Sequence, residues 1–328
     1  MYCMDTAMKD NFGRNIDYAR ISITDRCNLR CTYCMPRVGV HGITHSEVLR
    51  YEEILRLARI FVSLGIERFK ITGGEPFVRD GAIGFLEALK RLEGVLQVTV
   101  TTNGVLLEKH LPELVRIGVD GVNISLDTLN PESFRNLTGA DKLEPVLHAI
   151  DSCVGSGLRT KVNTVMISGV NENEAVRIAE LARKKVAAVR FIELMPVGQT
   201  FGANLFTVRD LVRTLESAFG KLEPISEKFG NGPAEYYSVN GFAGKIGIIP
   251  AMSHSFCSSC NRVRLTSDGF LRLCLSRDDG TDLRPQLRSG VNDSDIARHI
   301  EQAITAKPEL SGFDEASSGR AMHTIGGY

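Results

Sequence analysis

Six of the eight cysteines form two groups of three, and these groups are the residues best suited to bind a metal. The first triad, with C-x3-C-x2-C spacing, is Cys27, Cys31 and Cys34. The second triad is Cys257, Cys260 and Cys274. Structural zinc needs four closed ligands, whereas an iron–sulfur cluster held by only three thiolates leaves one iron open to another ligand. The spacing of the first triad therefore favours an iron–sulfur cluster with an open iron.

At the second triad the same argument predicts another cluster with one free iron. Zinc stays an alternative there, because the C-x2-C unit, Cys274 and His254 could form a Cys3His site. The remaining cysteines, Cys3 and Cys153, stand apart and are typical of a terminal and a buried thiol.

The elements that must position the first triad alternate between strand and helix from residue 18 to about residue 195. Amphipathic stretches such as Glu53–Leu64 predict helices, and Asn171 with Glu174 predicts a capping box at the start of a helix through Lys184. The predicted strands are Tyr18–Ile23, Arg68–Thr72, Gln97–Thr102, Gly121–Leu126, Arg159–Met166 and Ala187–Leu194. Six βα units predict a parallel sheet, either doubly wound or a complete or partial barrel, with its chemistry at the carboxyl ends of the strands.

After about residue 222 this alternation stops. Glu227–Pro233 reads as a loop, Glu235–Val239 and Lys245–Ile249 read as short strands, and the second triad follows. We therefore expect two parts, residues 11–222 and 223–328, the second smaller, irregular and stabilised by a metal rather than by a large core.

Polar loops follow three of the predicted strands: Thr72-Gly73-Gly74-Glu75-Pro76, Thr101-Thr102-Asn103-Gly104 and Ser125-Leu126-Asp127. Singly, each could be a turn or a helix cap. Together with the first triad, their order resembles the radical S-adenosylmethionine superfamily. This resemblance implies a [4Fe–4S] cluster whose open iron binds S-adenosylmethionine and, after a one-electron reduction, yields a 5′-deoxyadenosyl radical. The cofactor-binding residues that it implies are Tyr33, Gly74, Glu75, Ser125 and Met195.

Longer segments narrow the resemblance. DRCNLRCTYCMP, KITGGEPFVR, RFIELMPVG, CSSCNRVRLTSDGFLRLCL and a terminal Gly-Gly resemble the GTP cyclase family that begins molybdenum-cofactor biosynthesis, the MoaA family, from Asn11 to Gly327. That family implies a partial (β/α)6 TIM-like barrel with the first cluster and a C-terminal region with a second [4Fe–4S] cluster, whose free iron binds the guanine of GTP. The radical removes the ribose C3′ hydrogen, and C3′ then attacks guanine C8.

The same resemblance implies a set of substrate contacts. Arginine suits bidentate binding of phosphate. Lys70 stands where many members of the family have arginine, which keeps the positive charge but loses the bidentate geometry. The implied GTP-binding residues are Arg20, Lys70, Thr101, Lys161, Arg190, Arg262 and Arg264. Gly326 and Gly327 would form a tail that reaches into the active site, with Tyr328 as an addition to the usual ending. The expected partners are an external one-electron donor and the cyclic pyranopterin monophosphate synthase that receives the product; a homodimer stays open.

Composition excludes some classes of partner. With 39 basic and 39 acidic residues the net charge is zero, which argues against a nucleic-acid partner. No apolar run approaches the roughly 18 residues of a membrane span, so we expect a cytoplasmic protein. Two alternatives remain: a peptide-modifying radical enzyme, which usually carries a longer C-terminal cysteine array, and a zinc-stabilised nucleic-acid-binding protein, which the polar loops and the net charge oppose.

Overall fold

The computed structural model describes residues 7–36, 42–184, 186–197, 206–227, 229–313 and 322–327. Within these ranges, twelve strands form one open sheet. Tyr328 and Cys3, both considered above, lie outside the described residues. No helix in the described part of the chain is both long and apolar enough to cross a membrane.

The centre of the sheet consists of six parallel strands in consecutive order. They are β1 Tyr18–Ser22, β2 Arg68–Thr72, β3 Gln97–Thr102, β4 Gly121–Ser125, β5 Thr160–Met166 and β6 Ala188–Glu193. Each begins and ends within one residue of its predicted position. Because the order never reverses, this is the winding of a partial barrel and not of a doubly wound sheet. The predicted partial barrel is confirmed.

Helices cover the outer face of this sheet. In chain order they are α1 Tyr51–Ser63, α2 Ala82–Lys90, α3 Leu107–Ile117, α4 Pro131–Thr138, α5 Leu143–Gly155, α6 Ala175–Ala179, α7 Leu181–Lys184, α8 Val208–Phe219, α9 Arg284–Arg288 and α10 Asp293–Thr305. Alternate strand residues such as Ala19, Ile21 and Phe69 pack against them in one buried core. Their neighbours along the strands, among them Arg20 and Lys70, face the other way and line the lumen of the partial barrel.

The last third of the chain extends the sheet at both edges. β9 Lys245–Ile249 pairs in parallel with β6, and β10 Arg262–Leu265 pairs in parallel with β1. The outermost strands, all antiparallel, are β7 Glu223–Ile225, β8 Glu235–Ser238, β11 Phe270–Arg272 and β12 Gly280–Asp282. Side chains such as Ile246 and Val263 belong to the main core, so this region is held by shared packing and not by a metal alone. The boundary between residues 222 and 223 stays a prediction.

The predicted capping box near residue 171 is wrong. The Asn171 side chain accepts a hydrogen bond from the Ile167 amide and donates to the Asp127 and Val165 carbonyls. Glu174 accepts from the Leu129 amide at 2.7 Å instead of from the backbone at residue 171. The predicted continuous helix is a 3-10 turn, α6 and α7 in succession. These two side chains join the loops after β4 and β5, a tertiary role that replaces the local one.

Candidate active site

The first triad lies in the loop that follows β1, at the carboxyl end of the barrel strands. The Cys34 amide donates to the Cys31 carbonyl at 2.9 Å, which closes a tight turn between these two cysteines. Burial, followed by neighbouring thiols and the Asp127 carboxyl, raises the pKa of Cys31 well above its usual range, and burial raises that of Cys34 to about 12. Three desolvated thiols in one loop suit a metal cluster, whose irons would replace their protons.

The loops after the next strands converge on this triad and enclose a cavity of about 650 Å³. The Gly73-Gly74 segment packs directly on the triad loop, because the Gly74 amide donates to the Thr24 carbonyl at 2.7 Å. A Cβ on Gly74 would lie 2.2 Å from the Arg26 carbonyl oxygen, so only glycine fits there. The other lining residues include Thr72, Thr101, Thr102, Asn103, Ser125, Asp127, Asn163 and Gly327.

Glu75 lies behind this cavity and does not line it. Its carboxylate is fully buried and accepts hydrogen bonds from the Asn103 amide at 2.7 Å, the Thr102 hydroxyl at 2.8 Å and the Phe77 amide at 3.2 Å. Burial raises the pKa of Glu75 to about 7, although these three donors oppose the shift. Glu75 therefore fixes the loop after β3, and its expected direct contact with the cofactor stays a prediction.

Tyr33 and Asp127 form a second buried pair beside the first triad. The Tyr33 hydroxyl donates to the Asp127 carboxyl at 2.6 Å, and the Val165 amide donates to its other oxygen at 2.8 Å. Burial raises the pKa of Asp127 to about 6 in spite of these donors. The aromatic residue between two cysteines is thus tied to the loop after β4, which holds the triad loop against the barrel.

The second triad lines a separate cavity of about 790 Å³, next to the first along the lumen. Its wall also holds Arg20, Arg262, Arg264 and Lys307. Although burial raises it, the pKa of the Cys260 thiol is lowered overall, because Arg262 and Lys307 lie nearby. A cluster held by three thiolates is anionic, so the cationic wall suits it.

The alternative Cys3His zinc site is not assembled. His254 is exposed and is absent from the lining of the second-triad cavity. In the described ranges, no three Cys, His, Asp or Glu side chains form a group that could hold a single metal ion. In a cluster each thiolate binds a different iron, so its ligands need not converge on one point.

An N-terminal arginine and a strap after α10 hold the second triad. Arg14 is buried, pairs with Asp10 at 2.5 Å and donates to the carbonyls of Cys257 at 2.9 Å and Pro308 at 2.7 Å. The strap continues with the Ser311 amide, which donates to the Cys257 sulfur at 3.2 Å. Arg14 and Lys307 lie outside the motifs, and nothing in the sequence pattern singles them out.

The expected GTP-binding residues divide between neighbouring cavities along one lumen. Arg20, Arg262 and Arg264 lie with the second triad, whereas Thr101 lies with the first. Lys70, Lys161 and Arg190 line a third cavity of about 380 Å³ toward the amino ends of the strands. Arg190 is oriented by Asn163, whose side-chain oxygen accepts from its Nε at 2.8 Å, and by Asn123. The sequence analysis did not identify these two asparagines as site residues.

Burial and mutual repulsion act on these cations. Burial, with Arg190, Arg20 and Lys161 as neighbours, lowers the pKa of Lys70 well below its usual range. Burial lowers the pKa of Lys161 to about 7 and that of Arg20 to about 10, with further lowering by nearby arginines. Mutual repulsion of this kind is relieved by a bound anion.

The C-terminal tail lies between the two triads. Gly327 lines the first-triad cavity, and the Gly326 carbonyl accepts from the Thr72 hydroxyl at 3.0 Å and from Arg20 at 2.9 Å. Arg264 donates to the Gly327 carbonyl at 3.3 Å. Met195, expected near an adenine, lines the second-triad cavity and packs with Met322 and Ile325 in a small apolar cluster.

Comparison with known proteins agrees with this arrangement. Residues 21–182 match the Radical SAM superfamily, and residues 187–313 match Molybdenum Cofactor Synthesis C. The chain is 45% identical over 325 residues to the GTP 3′,8-cyclase of Thermodesulfovibrio yellowstonii, covering 98% of this chain and 100% of that protein. It is 42% identical over 327 residues to the GTP 3′,8-cyclase of Heliobacterium modesticaldum, covering 98% and 100%.

Solved structures share the fold at low identity. Streptococcus suis SuiB bound to precursor peptide SuiA superposes with a TM-score of 0.63 at 14% identity, over 95% of this chain and 70% of that one. Native anSMEcpe with bound AdoMet gives a TM-score of 0.56 at 16% identity, over 88% and 84%. These two likenesses bear on the fold alone.

Proposed function

The chain belongs to the radical S-adenosylmethionine family of GTP 3′,8-cyclases, and from this premise we propose that its lumen holds S-adenosylmethionine at the first triad and GTP at the second. It is an enzyme of molybdenum cofactor biosynthesis. The reaction that we propose removes the ribose C3′ hydrogen of GTP and joins C3′ to guanine C8. The product would be the 3′,8-cyclised dihydroguanosine triphosphate.

One observation carries the proposal: both cysteine triads, the buried cations and the C-terminal glycines open into adjacent cavities of one lumen. Arg20 lines the second-triad cavity and also donates to the tail that enters the first. A cofactor at one triad and a nucleotide at the other would therefore meet near the tail. This arrangement supports a transfer between two bound molecules more readily than it supports two independent sites.

At the first triad the chain's own residues would hold and orient the cofactor. We assign the [4Fe–4S] cluster to Cys27, Cys31 and Cys34, whose desolvated thiols fit it. When bound, the cluster and S-adenosylmethionine would supply a one-electron reduction that releases a hydrogen-abstracting radical. The Gly73-Gly74 backbone and Ser125 border the cavity where the cofactor's ammonium and ribose would lie. Glu75 would act through the loop after β3, as a positioning residue.

At the second triad the residues would bind the nucleotide. We assign a second [4Fe–4S] cluster to Cys257, Cys260 and Cys274, whose three thiolates would leave one iron available to bind the guanine. Arg20, Arg262 and Arg264 border the same cavity and offer charge-assisted hydrogen bonds to the nucleotide's anionic groups. The third cavity, with its uncompensated lysines, would take the outer phosphates. An external one-electron donor and the synthase that forms cyclic pyranopterin monophosphate would be the partners.

The test is an anaerobic assay of the reconstituted, reduced protein with S-adenosylmethionine, with and without GTP, following 5′-deoxyadenosine and the cyclised nucleotide. We expect both products, with 5′-deoxyadenosine dependent on GTP. Cys31→Ala should abolish both, because the first cluster loses a ligand. Cys153→Ala is the matched control, since this buried thiol lies on α5 and faces the main core.

Two results would contradict the proposal. Cyclised GTP formed by the Cys31→Ala protein would exclude a radical route through the first triad. Formation of 5′-deoxyadenosine with GTP left intact would support radical chemistry at the first triad. It would also indicate that a substrate other than GTP binds in the cation-lined cavities.

A further inference from the structure

The third cavity continues outward at the amino ends of the strands. It opens into a larger, solvent-exposed hollow of about 1540 Å³ beneath the loop of residues 229–234. The two spaces share Gln97, Arg159, Gly230 and Asn231 in their walls. None of these four residues belongs to the motifs or to the expected GTP contacts. These four residues therefore have no assigned role, although Arg262 of the second-triad cavity also borders the outer hollow.

Positive charge dominates this end of the lumen. The nearby carboxylates are already engaged, since Asp120 pairs with Lys90 at 2.5 Å and Asp17 pairs with Arg68 at 2.6 Å. Over the described residues, neither Lys161 nor Arg159 forms an ion pair with a carboxylate. An anion that extends outward from Lys161 would meet cations along its whole path.

Arg159 stands at the junction of the two spaces. Its backbone is fixed, because the Val122 amide donates to the Arg159 carbonyl at 2.9 Å and a Cβ on Gly121 would lie 2.7 Å from that oxygen. Its side chain is exposed and lines both spaces. Residues two apart along a strand are spaced by about 6.6 Å and point to the same face, so Arg159 stands one step further out than Lys161.

The loop of residues 229–234 closes the opposite wall. The Asn231 side chain donates to the Gln97 side chain at 2.5 Å, which ties the loop to the start of β3. Gly230 lies so close to Lys161 that a Cβ would be 2.9 Å from the lysine nitrogen. The loop and the two cations thus face the same narrow passage.

We propose that Arg159, together with the loop of residues 229–234, binds the terminal phosphate of the nucleotide and makes the site selective for a triphosphate. This inference rests on the proposed function, since it takes GTP as the ligand of the lumen. The Arg159 guanidinium offers two parallel N–H donors to phosphate oxygens. The Asn231 side chain is uncharged, so it repels neither the phosphate nor the guanidinium. A nucleoside monophosphate lacks the terminal phosphate, so it would not make this contact.

The test is equilibrium dialysis of labelled GTP and GMP with the reconstituted holoprotein, without reductant. Arg159→Gln should weaken GTP binding about tenfold, as expected for one lost charge-assisted pair, and change GMP binding less than about twofold. Arg159→Lys should keep part of the GTP affinity. Asn231→Asp, which keeps the size and adds a negative charge, should also weaken GTP more than GMP. Arg213→Gln, on the outer helix α8, is the control and should change neither.

Equal weakening of GTP and GMP by Arg159→Gln, or unchanged GTP binding, would overturn the inference while leaving the proposed function in place. Absence of GTP binding to the unaltered protein would overturn the proposed function and this inference with it.

Discussion

The two halves of the lumen differ in the kind of ionisable group that burial perturbs. Around the first triad, burial raises the pKa of Glu75 to about 7 and that of Asp127 to about 6, so the perturbed groups of this half are carboxyls. Around the second triad and toward the amino ends of the strands, burial and mutual repulsion lower the pKa of Arg20 to about 10 and that of Lys161 to about 7. Buried carboxyl groups are thus typical of one half and buried cations of the other.

This difference indicates how one lumen can sort two ligands. S-adenosylmethionine carries a sulfonium and an ammonium, whereas GTP carries several negative charges on its phosphates. Fields from buried charges act strongly at short range in a poorly hydrated cavity, and they oppose the wrong ligand as well as attract the right one. We therefore infer that charge, as much as shape, keeps cofactor and substrate at their own triads.

Removing a cation at the second triad should have the largest effect on the difference between the two halves of the lumen. Arg262→Gln should weaken GTP binding about thirtyfold, or about 2 kcal/mol, because a half-buried charge-assisted contact is lost. S-adenosylmethionine binding should stay unchanged, and iron and sulfide per chain should match the unaltered protein. Binding of both ligands to the holoprotein, with iron analysis, is the measurement.

Arg298→Gln is the control for that variant, because Arg298 forms only a surface pair with Asp295 at 2.9 Å. If Arg262→Gln weakened both ligands equally, the two halves of the lumen would not be electrostatically distinct.

A smaller effect should appear in the pH dependence of GTP binding. Burial, Arg190 and Arg159 lower the pKa of Lys161 to about 7, and a bound phosphate would raise it again toward its ordinary value. Below about pH 7 the lysine is charged in both states, so it adds no pH dependence. Above this pH the free lysine is neutral and must take up a proton on binding, so affinity should fall about tenfold per pH unit.

Binding of GTP between pH 7 and pH 8.5 measures this effect. Lys161→Gln should flatten the profile, whereas Lys221→Gln, at an exposed surface pair, should keep it. A profile of the same slope in the Lys161→Gln protein would assign the titration to another group.

The barrel strands were predictable because their apolar runs are local and strong. Each strand from Tyr18 to Glu193 begins and ends within one residue of the prediction, and the polar loops follow them in the expected order. The helix after Asn171 was not predictable, since the side chains of Asn171 and Glu174 bond to the loops after β4 and β5. A tertiary partner of this kind leaves no trace in a local pattern.

The same limit applies to the site. Cysteine spacing pointed to both triads, but Arg14 contacts the second triad from 243 residues away in the chain. Asn123 and Asn163 orient Arg190 only because strands β4, β5 and β6 lie side by side. Glu75 was assigned to the cofactor by its motif, and its buried hydrogen bonds to Thr102 and Asn103 add a structural role that the motif does not show. These roles depend on contacts between residues that lie far apart in the sequence, which a local pattern does not show.

The most direct test of the division of the lumen is electron paramagnetic resonance of two reduced variants. In each variant, the three cysteines of one triad are replaced by alanine. We expect the protein that keeps only the second triad to change its cluster spectrum with GTP and not with S-adenosylmethionine. The protein that keeps only the first triad should show the reverse. A spectrum at the first triad that responds to GTP, or one at the second that responds to S-adenosylmethionine, would contradict the division of the lumen between cofactor and substrate.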